Sequence, residues 1–79
     1  MATAVTYRDT MIQTTDYTSY DMTTTPTSIE NCHTKCENEH PNYVAINWNR
    51  NTEPEQCWCI HEAAGIAVPK DGFASQKAC

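Results

Sequence analysis

The chain has 79 residues with five Cys, four Pro and two Gly, and a formal net charge of −5. That length suits one domain, 1–79, and buries too little surface for an apolar core alone to hold it firmly, so covalent or metal staples are expected. Five cations spread singly along an acidic chain exclude the clustered charge that nucleic acid or an anionic membrane needs. No apolar run approaches the ~20 residues of a membrane span, so no membrane insertion is expected.

Residues 1–5 lack the basic and hydrophobic regions of a secretion signal, so the chain reads as a mature form. From Thr3 to Thr27 it is rich in Thr, with Tyr7, Tyr17 and Tyr20 interspersed. Thr and Tyr suit strands. Thr3 to Tyr7 alternates as one strand and Met11 to Thr14 as another, followed by an irregular stretch ending at Pro26.

Thr27-Ser28-Ile29-Glu30 is a capping-box start, with Thr27 as N-cap, for a helix running to about His40 and stopped by Pro41. Ile29, Cys32 and Cys36 share one face of that helix, so both thiols point inward. Tyr43 to Trp48 then alternates as a strand, with Val44, Ile46 and Trp48 on one face and Tyr43, Ala45 and Asn47 on the other. A polar turn, Asn49 to Pro54, leads into a second strand, Gln56 to His61, which pairs with the first as a hairpin. The tail holds an apolar piece, Ile66 to Val68, a turn at Pro69 to Gly72, and a closing Phe73-Ala74-Ser75.

Cysteine density of this order points to an oxidising compartment, and the chain is expected to be secreted. Cys32 and Cys36 lie one helical turn apart, while Cys57 and Cys59 share one face of a strand. If the helix packs on that strand, two parallel bridges are easy to make. Cys32 with Cys57 and Cys36 with Cys59 are favoured over the crossed pairing. A loop of about 26 residues closed by the first bridge is worth ~3.5 kcal/mol. A zinc site is the competing use of these thiols with His33 and His61, but neither Cys pair sits in the tight turn that zinc loops use, and no metal or cofactor is expected. Cys79 is left over, as an intermolecular link or a free thiol.

Catalysis has little support, because adjacent helix positions such as Cys32 and His33 point about 100° apart, and the three histidines read as isolated surface residues. For binding, Trp58 stands out: Cys57 and Cys59 take the helix-facing side of their strand, which turns the indole to the opposite face. Trp48 reads as core. Trp58 beside Tyr43, Asn47 or Arg50 is the candidate surface for stacking on a sugar ring or anchoring a protein contact. The competing reading is that the Tyr-rich N-terminal segment covers it.

The two-cysteine helix Ser28 to Cys36, the strand His40 to Trp48, Gln56-Cys57-Trp58 and the ending Gly72 to Cys79 together resemble the apple/PAN domain family. That resemblance implies an α+β domain, a curved antiparallel sheet packed on a single α-helix, and a non-catalytic module binding carbohydrate or extracellular protein. Two departures stand out. Tyr43 occupies a position where the family has a cysteine, so Cys59 is the substitute partner of Cys36, and no cysteine near the first strand pairs with Cys79. The front half, through Tyr7-Arg8-Asp9, the Cys32 to Cys36 helix and Cys57-Trp58-Cys59, is also similar to the WSC domain, a cell-wall carbohydrate-binding module. A third reading is self-association as a structural subunit, through Cys79 or by addition of the N-terminal strand to a neighbouring sheet.

Overall fold

The computed structural model describes residues 5–22 and 28–78. These form an α+β fold of five strands and one helix in the order β1 (Thr6–Ile12), β2 (Asp16–Met22), α1 (Ile29–Glu39), β3 (Ala45–Asn49), β4 (Glu55–Glu62) and β5 (Ala67–Lys77). The strands make one antiparallel sheet with the spatial order β1-β5-β3-β4-β2. Chain neighbours β3 and β4 pair as the expected hairpin, whereas β1 and β2 diverge to opposite edges.

The described part of the Thr-rich N-terminal region, residues 5–22, forms two strands, though not the two the alternation suggests. One strand runs through Thr6 to Ile12, with Asp9 at φ 49° where the register shifts, and the stretch read as irregular supplies β2. The reason is period two: Tyr17, Ser19 and Asp21 fall on one face of β2, and Thr18, Tyr20 and Met22 on the other. Thr3, Ala4 and Pro26 lie outside the described residues.

The helix begins one residue later than the capping box suggests. Ser28, in extended backbone, is the N-cap, and its hydroxyl accepts from the Asn31 amide at 3.2 Å. Thr27 lies outside the described residues. At the other end the His40 amide donates to Cys36 O at 2.8 Å, and Pro41 follows. Ile29, Cys32 and Cys36 are the buried residues of α1, as the helical spacing requires.

The helix packs on one sheet face, where Ile29, Cys32, Cys36, Ile46, Cys57, Cys59 and Ala74 form the main core. Trp48 is half-buried against that cluster, while Val44, which shares its face by spacing, is exposed. The other face is not simply solvent. Ile12, Ala45 and Ile60 make a second small core there, and Asn47 and Ser75 are fully buried beside them. β3 is therefore buried on both faces, as befits the central strand.

The tail is one long strand rather than a turn between short pieces. The predicted turn survives as a bulge: Arg8 pairs with Ala74 and Thr10 with Pro69, so residues 70–73 face Asp9 alone. Pro69 costs no ladder bond, because β3 pairs only with the later part of β5, from Phe73 onward. Within the bulge Gly72 sits at φ 82°, its carbonyl accepting from the Arg50 amide at 2.9 Å.

Candidate functional site

Both predicted bridges are present. Cys32 is bonded to Cys57 and Cys36 to Cys59, and all four residues have zero exposure. The helix spacing of four and the strand spacing of two bring the thiols into register where α1 crosses β4. Because these cysteines claim the inner face of β4, Trp58 between them is turned to the outer face, as expected.

On that face Trp58 is half-buried in an aromatic array. The ring of Tyr17 from β2 stacks on it at a centroid distance of 4.4 Å and an interplanar angle of 18°. Phe73 from β5 meets it edge-on at 5.4 Å, and Trp58 Nε1 donates to Gln56 Oε1 at 3.3 Å. Phe73 is buried, whereas Tyr17 keeps 39% of its surface exposed. The pairing of β2 with β4 sets Ser19 opposite Trp58 and Asp21 opposite Gln56, with Ser19 and Asp21 exposed. The outer surface of this strand pair thus carries an aromatic platform flanked by a hydroxyl, a carboxylate and an amide. Tyr17 does partly cover Trp58, yet the covering ring itself faces solvent.

The other residues grouped with Trp58 go elsewhere. Asn47 lies directly opposite Trp58 in the β3–β4 register but has zero exposure, and its amide is spent on the backbone of Ile12. Tyr43 sits on the helix side, half-buried, hydrogen bonded through Oη to His33 Nε2 and edge-on to that ring. Arg50 lies over Trp48 at 5.3 Å, with its Nε donating to Gly72 O. Only Trp58 of the four reaches the outer face as a surface side chain. Tyr17 was missed because the Thr-rich stretch masked the alternation of β2, and its pairing with β4 is long-range.

The histidines are not isolated. His33 Nδ1 donates to Gln76 Oε1 at 2.7 Å, Gln76 Nε2 donates to Thr6 Oγ1 at 2.7 Å, and His33 Nε2 lies 3.0 Å from Glu37 Oε1. The helix is thereby tied to β5 and β1. His40 and His61 meet edge-on at 4.8 Å, and their Nε2 atoms hydrogen bond to Tyr20 Oη at 2.6 Å and Thr18 Oγ1 at 2.9 Å. Lys35 sits over the Tyr20 ring at 4.8 Å. These contacts clamp the C-terminal end of α1 to the β2–β4 pair. Cys79 lies outside the described residues. Among the described residues no helix is long and apolar enough to cross a membrane.

Comparison of the chain with known protein families, with curated proteins and with solved structures finds no match.

Proposed function

We propose that this chain is a secreted, non-catalytic binding module of the apple/PAN type, engaging a glycan or an extracellular protein through the outer surface of β2 and β4. The observation that carries this reading is the exposed ring of Tyr17 stacked on Trp58, with Ser19, Asp21 and Gln56 around it. A flat apolar surface rimmed by hydroxyl, carboxylate and amide suits a sugar ring, whose C–H face stacks while its hydroxyls hydrogen bond, and equally suits an aromatic anchor in a protein contact. Two buried bridges holding one helix on an antiparallel sheet fit an extracellular location. The histidines and buried cysteines are engaged in ties between elements, which supports architecture rather than chemistry as their role.

The test is a screen of the purified protein against arrayed glycans, cell-wall polysaccharides of the kind WSC domains bind, and extracellular proteins, followed by titration of Tyr17→Ala and Ser19→Arg. Binding that falls at least tenfold in both variants, with an unchanged circular dichroism spectrum, is the expected result. Binding that neither variant weakens would overturn the assignment.

Self-association is the second reading, favoured by Val5 and Tyr7 at one sheet edge, which keep 65% and 42% of their surface exposed. Removing residues 1–25 would not isolate it, because both edge strands would be lost with them. Native mass measured with and without reductant separates a disulfide-linked assembly, a strand-paired assembly and a monomer.

A further inference from the structure

The four bridged cysteines form one compact sulfur cluster. The Sγ atoms of Cys32, Cys36 and Cys57 all lie within 4.8 Å of one another, and Cys59 Sγ is bonded to that of Cys36. Across the two bridges Cys36 Sγ and Cys57 Sγ are 3.7 Å apart. Tetrahedral zinc with Zn–S bonds of ~2.3 Å spaces its sulfurs by roughly 3.8 Å. The contact between bridges already has that spacing, and opening a bridge lets its two sulfurs move apart to match. All four residues have zero exposure, so such a centre would be closed to water, as structural zinc sites are.

We propose that the reduced chain binds one zinc-type, thiophilic cation through Cys32, Cys36, Cys57 and Cys59. The helix is then held on the sheet by bridges in an oxidising setting and by metal in a reducing one. Reduction by a dithiol or a phosphine delivers two electrons and two protons to each bridge, yielding four thiols. The cation displaces the thiol protons to solvent as its bonds to sulfur form. Such a replacement matters to the fold, because Ile29 is the only buried residue of α1 besides the two cysteines, and the other ties of the helix are the half-exposed contacts of His33, Lys35 and His40. One buried apolar side chain is a weak anchor for an 11-residue helix. This inference concerns the helix side of the sheet and stands apart from the glycan or protein reading.

The experiment takes the full chain carrying Cys79→Ser, which removes the fifth thiol, reduces it with a phosphine without oxygen, and titrates it with Co(II) and then Zn(II) while following circular dichroism. Expected is a visible cobalt–thiolate absorption of tetrahedral type that saturates at one equivalent, with return of the helical signal of the oxidised protein. Zinc should bleach the absorption and keep the helix, and Cys59→Ser should lose the tetrahedral spectrum. No absorption at one equivalent, absorption without the helical signal, or an undiminished spectrum in Cys59→Ser would each overturn the proposal.

Discussion

The side-chain amide of Asn47 brackets the backbone of Ile12: Oδ1 accepts from the Ile12 amide at 3.0 Å, and Nδ2 donates to the Ile12 carbonyl at 2.8 Å. An amide group therefore acts as one more strand residue, pairing the end of β1 over the outer face of β3. Both bonds are buried, so Asn47→Leu strands a backbone donor and acceptor away from water. Each orphaned group costs about 1–3 kcal/mol, and a total loss of about 2–4 kcal/mol is expected. Urea unfolding of the variant checks it, and a loss below about 1 kcal/mol would show that the pairing is replaced by water.

The two bridges should not contribute independently. Their sequence separations, 25 and 23, are nearly the same, and the two loops overlap from Cys36 to Cys57. With one bridge in place, the second closes a ring of only about eight residues, worth about 2 kcal/mol, whereas the first closes a loop worth about 3.5 kcal/mol. Replacing either pair with Ala is thus expected to cost about 2 kcal/mol, and replacing both about 5–6 kcal/mol, before any cavity term. Thermal unfolding of the three variants tests this ordering.

Gly65 and Gly72 share φ 82° but differ in surroundings. A Cβ at Gly65 would meet nothing within 4 Å, while one at Gly72 would lie 1.9 Å from Asn51 Oδ1. Gly65→Ala should cost the left-handed backbone penalty alone, about 1–2 kcal/mol. Gly72→Ala must also push Asn51 away from Asp71 O, which its Nδ2 reaches at 2.7 Å. It is expected to cost about 1 kcal/mol more than Gly65→Ala in parallel denaturant titrations.

Ser75 is fully buried between Tyr7 and Asn47 in the sheet register, and its hydroxyl has no partner among the described residues. A buried hydroxyl without a hydrogen bond opposes folding, and Ala fills nearly the same space. Ser75→Ala is expected to raise stability by about 1 kcal/mol, visible as a higher melting temperature. A fall in melting temperature would show that the hydroxyl does find a partner.

What was legible in the sequence was the part governed by local spacing. The capping box and Pro41 placed the helix, the alternation from Tyr43 to Trp48 and the polar turn after it placed the β3–β4 hairpin, and the spacings of Cys32 with Cys36 and Cys57 with Cys59 gave the inward face and both bridges. Polar residues with structural tasks were hard to read. Asn47 alternates onto a face that looked open, and only the return of β1 over that face, with Ile12 pairing to the Asn47 amide, buries it. That the Tyr-rich segment covers Trp58 was one of two open readings, but that Tyr17 does so by stacking was not legible, since β2 joins the sheet beside β4, some forty residues later in the chain. The histidines looked isolated because their partners, Gln76, Tyr20 and Thr18, are remote in sequence.

The pairing of β1 with β5 sets Thr6 directly across from Gln76. In an antiparallel ladder, such partners stand about 5 Å apart and run in opposite directions. The backbone therefore enters and leaves the described fold at one spot on the sheet. A unit with that geometry can be spliced into an exposed loop of a host protein without prying the loop apart, and several can hang from a common thread like pendants.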